Sequence, residues 1–179
     1  KRAGLRVSFI DYARDGDPYA ASPRLMTEDV RQNNHMWVFP TDAGFGSGEG
    51  SASTDDQHPL LAHTDEHVGD RRLRVNDLFR VVHDYFGHVK EGVGFRADGE
   101  ENAWMSHAAM FSPSARRALT TETRGQSSWL NWGPHGDANR NAKTNETVFA
   151  EQKVGLLPDW AVDPEGMPPA ALDAAPRPA

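Results

Sequence analysis

The chain has 179 residues, a formal net charge of −7, mean hydropathy of −0.68 and no cysteine. That length is enough for one domain with a proper core. The polarity excludes a membrane span of about 18 apolar residues, and the acidic balance argues against a general nucleic-acid binder. Without cysteine there are no disulfides, thiolate zinc sites, iron–sulfur clusters or thiol nucleophiles, so any metal must sit on nitrogen and oxygen ligands.

Leu5 to Asp11 alternates as a strand, and Asp15-Gly16-Asp17-Pro18 turns the chain. Ser22-Pro23 reads as an N-cap with proline in the first helical turn, opening a helix to about Gln32. His35 to Phe39 reads as a second strand, completing a small strand–helix–strand layer. Thr41 to Gln57 carries Gly44, Gly46, Gly48 and Gly50, but it lacks the lysine and following helix of a phosphate loop. It is expected to be a surface loop or lid, and His58, His63 and His67 beyond it are expected to be solvated loop histidines.

From Asn76 the pattern turns helical. Leu78, Phe79, Val82, Phe86 and Val89 form the apolar stripe of a first helix ending near Lys90. Gly92-Val93-Gly94 breaks it, and a second helix covers about Glu100 to Phe111. Ser112-Pro113 opens a third helix running to about Trp129. Asn131 to Asn145 is rich in turn formers, and a last short helix is expected over Thr147 to Leu156. The fold class is therefore α+β: an N-terminal strand–helix–strand layer with a mainly helical metal-binding lobe. Residues 1–163 form one domain, with a Pro/Ala-rich tail at 164–179. No secretory signal is visible, and the expected location is cytoplasmic.

The metal expectation comes from His83 and His88, two imidazoles within the apolar helix whose ring nitrogens need partners. Five positions apart on a regular α-helix they point about 140° away from each other. They converge only if the first sits near a helix end or if the turn is distorted beside Gly87. The His-Glu-x-x-His zinc signature is absent. Carboxylates available as a third ligand are Glu91, Glu100, Glu101, Glu122 and Glu151, and Glu122 reads as inward-facing among small hydroxylated residues. Glu100 and Glu101 suit a helix start whatever the function. His107 shares the helical face of Glu100, as a ligand of a second metal, an orienting partner or plain packing. Asp84 is placed to accept a hydrogen bond from an imidazole N–H, and Arg124 to clamp a substrate carboxylate or to pair at the surface. Trp104, Trp129 and Trp132 would wall a pocket or pack a core, and Asn131, His135, Asn139 and Arg140 form a polar loop.

His83-Asp84-Tyr85-Phe86-Gly87-His88-Val89 resembles the iron-binding segment of the pterin-dependent aromatic amino acid hydroxylases, His-Glu-Leu-Leu-Gly-His-Val. In that family a glutamate in a Thr-x-Glu context follows. Here Thr120-Thr121-Glu122 places such a glutamate 34 residues beyond His88. The resemblance implies a facial triad of His83, His88 and Glu122 on Fe(II), with three positions left for dioxygen and substrate. The expected function is a non-haem Fe(II) oxygenase or hydroxylase of a small molecule, an amino acid or aromatic compound, with a pterin or another reductant supplying electrons. A zinc hydrolase using Glu101 or Glu122 as base is the alternative. The segment from Asn76 to Gly136 is also similar to large phage-associated polyvalent proteins, which keeps a non-enzymatic interaction module as a third class.

Overall fold

Two short parallel strands, β1 (Arg6–Phe9) and β2 (His35–Val38), pair in the register Arg6↔His35 through Phe9↔Val38. A computed structural model describes residues 4–45, 58–142 and 146–162. Most of the glycine-rich loop and the Pro/Ala-rich tail lie outside the described residues. Between the strands run α1 (Tyr12–Asp15) and α2 (Arg24–Asn33), and α2 stops where Asn34 takes the left-handed conformation at φ 49°. The strands alternate as expected. Val7, Phe9, Met36 and Val38 face a core shared with Met26, Val81, Tyr85 and Val89, which seats this layer on the helix that follows. On the other face, His35 joins Ser8 Oγ (3.0 Å) and Asp29 (2.8 Å), while Tyr19 O–H donates to Asp29 (2.8 Å) and accepts the Trp37 N–H (2.9 Å). This chain of hydrogen bonds ties α2 to both strands.

The segment expected to be loop contains a hairpin, β3 (His63–Val68) antiparallel to β4 (Arg71–Arg74), turned at Gly69 with φ 58°. His63 and His67 are exposed on it, but His58 is buried with its ring edge-on to Phe45. β4 leads straight into α3 (Val75–His83). Asp77 fixes that junction: it is fully buried and accepts the Arg74 N–H (2.9 Å), the Thr41 N–H (2.9 Å) and the Thr41 hydroxyl (2.6 Å).

The helix does not stay α-helical. Asp84–Val89 is a π-helical segment, and beyond it the Lys90 and Val93 N–H groups bond to the Tyr85 and His88 carbonyls five residues back. After α4 (Ala97–Ala108), α5 (Pro113–Thr120) passes through a second π-helical segment (Thr121–Gly125) into α6 (Gln126–Trp132). Trp104, Ala108 and Leu119 form a second core with Phe79 and Phe111, and Trp104 Nε1–H donates to Thr120 Oγ1 (2.9 Å).

Short α7 (Gly136–Asn139) follows. The helix expected over Thr147 to Leu156 does not form. Asn139 takes both backbone groups of Val148 in its side-chain amide (2.9 Å each), and the next regular element is α8 (Asp159–Val162). Among the described residues no helix is long and apolar enough to cross a membrane.

Candidate metal centre

The π-helical segment removes the objection that spacing raises against His83 and His88. In an i→i+5 ladder, residues five apart stack as residues four apart do in an α-helix. His83, closing α3, and His88 therefore point the same way, with Nε2 atoms 3.1 Å apart and ring centres 4.8 Å apart. Glu100, in the first turn of α4, brings Oε2 to 3.5 Å from His83 Nε2 and 3.6 Å from His88 Nε2. These three atoms form a nearly equilateral triangle whose centre is about 2.0 Å from each corner, the length of a metal–nitrogen or metal–oxygen bond. Two imidazoles and a carboxylate make a donor set suited to Fe(II), Zn²⁺ or a similar divalent ion.

Gly87 lets α4 approach. A Cβ there would stand 2.9 Å from Ala103 Cβ, closer than two carbons can pack, so the two helices touch backbone to side chain at this point. Gly87→Ala is expected to cost about 1–3 kcal/mol in a denaturant melt. Adding Ala103→Gly should return most of that loss by vacating the same volume.

The electrostatics suit a cation. Burial alone would raise the Glu100 carboxyl, but its bonds to His83 and His88 outweigh burial and hold it at about 2. Burial opposes charge on His88 as well, yet the Glu100 bond and the charges of Glu100 and Asp84 raise its pKa. Burial pushes the Asp84 carboxyl up, only partly offset by His83 and His88. His107, wholly buried, is lowered to about 4 by burial and by the two neighbouring imidazoles, so it is neutral.

Three expectations need correction. Glu122 is not in the cluster: its carboxylate accepts the Gln126 side-chain N–H (2.9 Å), and burial raises its pKa. Glu100, read from sequence as an orienting or alternative group, takes the third place because the small Gly87–Ala103 contact draws the start of α4 inward. Asp84 makes no bond to an imidazole, since Nδ1 of both His83 and His88 is buried without a partner among the described residues. Arg124 pairs rather than standing free to clamp a substrate: it and Glu101, the base of the hydrolase alternative, hold each other in a two-pronged pair (2.8 and 3.1 Å). Arg124 also donates to the Ala161 carbonyl (2.9 Å) and lies 4.2 Å over the Trp104 ring. The pair lines a shallow cleft of about 280 Å³ with Asp98, Ser127 and Trp132.

Of the tryptophans, Trp104 is core and Trp132 is 70% exposed beneath Arg140. Phenylalanines border the imidazoles instead. Phe79 stacks parallel to His83, Phe95 lies 4.2 Å from His88, and Phe111 meets His107 edge-on at 4.9 Å. The Glu100–His107 spacing was the one sequence signal that placed α4 against the site. No family model, curated protein or solved structure matches this chain.

Proposed function

We propose that this chain is a mononuclear non-haem Fe(II) oxygenase of a small organic molecule, with His83, His88 and Glu100 as its ligands. The observation that carries the reading is the triangle of Nε2, Nε2 and Oε2, with 3.1, 3.5 and 3.6 Å edges. Fe(II) held there would bind and activate dioxygen, with a reduced pterin, another reductant or the substrate itself supplying the electrons. The rest falls to the chain. Phe79 stacks on His83 and gives it an apolar neighbour, while Phe95, 41% exposed, lies against His88. This reading calls for dioxygen and a small aromatic or amino-acid substrate as partners, in a cytoplasmic setting.

A second reading is a zinc hydrolase, since the same two-imidazole, one-carboxylate donor set suits Zn²⁺. Glu101 is unsuited to the base role there because Arg124 engages both its oxygens. Oxygen uptake by the anaerobically Fe(II)-loaded chain, offered a panel of amino acids and aromatic compounds with a reduced pterin or another two-electron reductant, separates the two. Substrate-dependent uptake that vanishes on Zn²⁺ loading is expected. Zn²⁺-dependent hydrolysis of ester or peptide reporters without oxygen uptake would replace the oxygenase with the hydrolase.

A further inference from the structure

His107 is the most anomalous polar group among the described residues. Its side chain is 0% exposed, yet neither ring nitrogen has a hydrogen-bond partner there. Buried polar groups are nearly always satisfied, so such an imidazole calls for a partner that is not protein. Its surroundings are Phe79, Phe111 and His83, with ring centres 6.0, 4.9 and 5.6 Å away. Seven residues after Glu100 on α4, it faces the same side of that helix two turns on.

Two imidazoles sharing one cation place their ring centres about 4.5–6 Å apart, given metal–nitrogen bonds of about 2.1 Å. The His83–His88 pair at 4.8 Å and the His83–His107 pair at 5.6 Å both lie in that window. The His107 nitrogens stand outside the triangle itself, so the ring must turn toward it to join.

We infer that His107 is the fourth protein ligand of the metal site, making it a three-histidine, one-carboxylate centre. The inference rests on the metal reading above and narrows it. Four protein ligands leave two positions of an octahedral ion, enough for dioxygen and one substrate atom. A cosubstrate that chelates through two atoms, such as a 2-oxo acid, would need both and leave none for dioxygen. The site is therefore built for a substrate that binds through one atom or beside the metal.

The test is an anaerobic Fe(II) titration of the whole chain, wild type against His107→Ala and His107→Leu, with and without 2-oxoglutarate. Iron affinity and the visible charge-transfer band of an Fe(II)–2-oxo acid chelate are both read. Wild type should bind one Fe(II) and show no band. Both variants should bind Fe(II) at least tenfold more weakly and gain the band. In chelator, His107→Leu should melt no lower than wild type, because leucine suits the Phe79–Phe111 surroundings. A band in wild type, or variants with unchanged affinity and spectrum, overturns the fourth-ligand assignment while leaving the triad. Failure of wild type to bind Fe(II) removes the metal reading itself.

Discussion

Glu100→Gln is expected to weaken Fe(II) binding by more than about 100-fold, since even groups that only orient ligands are worth 10–100-fold. Glutamine keeps the shape of the side chain and removes the anion. The two imidazoles then face a cation with no negative donor, and the amide offers only a neutral oxygen. His88→Ala should do as much, taking away a corner of the triangle that is 2% exposed and backed by Phe95. Glu122→Gln is the control. Its carboxylate is bonded to Gln126 and lies outside the cluster, so affinity should stay within about twofold. Equilibrium titration with Fe(II) under argon measures all three. A large loss in Glu122→Gln with none in Glu100→Gln would reinstate the spacing implied by the hydroxylase resemblance.

Asp77→Asn carries the largest expected effect on stability, about 3 kcal/mol at neutral pH. The carboxylate accepts three hydrogen bonds in a fully buried position, and Arg71 lies 3.5 Å away. Asparagine would turn N–H groups toward backbone N–H donors. Burial alone would raise the Asp77 carboxyl; the Thr41 and Arg74 bonds and the Arg71 charge overcome it and leave the pKa below the ordinary aspartate value. A depressed folded pKa means the stabilisation is present above the unfolded value, about 4, and is lost as pH falls through the folded one. The gap between wild type and Asp77→Asn in urea melts should therefore be widest near pH 7 and close steadily below about pH 4. A gap that persists unchanged at pH 2.5 would show that the carboxylate's charge is not its source. Because Asp77 anchors the start of α3, which ends at His83, the same variant should also loosen metal binding.

The strand–helix–strand layer was legible because Val7 and Phe9 alternate with polar residues, and because Ser22-Pro23 marks a helix start without ambiguity. The β3–β4 hairpin was not. His-Thr-Asp-Glu-His-Val is almost wholly polar, and a two-stranded ribbon buries too little to demand apolar alternation. The two histidines of the site were legible as residues but not as geometry. Five-residue spacing contradicts an α-helix, and that contradiction was itself the sign of a π-helical turn. The choice between Glu100 and Glu122 depends on which helix comes close. That is decided by Gly87 against Ala103, a contact between residues 16 apart in sequence that neither residue announces. The expected last helix failed for a similar reason: Asn139, nine residues upstream, claims the backbone of Val148.

The most direct test is anomalous diffraction from crystals grown with Fe(II) under argon. One anomalous peak per chain is expected at the centre of the triangle, about 2 Å from His83 Nε2, His88 Nε2 and Glu100 Oε2. A peak on Glu122 or in the Arg124–Glu101 cleft, or no peak from iron-saturated crystals, would contradict the assignment of this cluster as the metal centre.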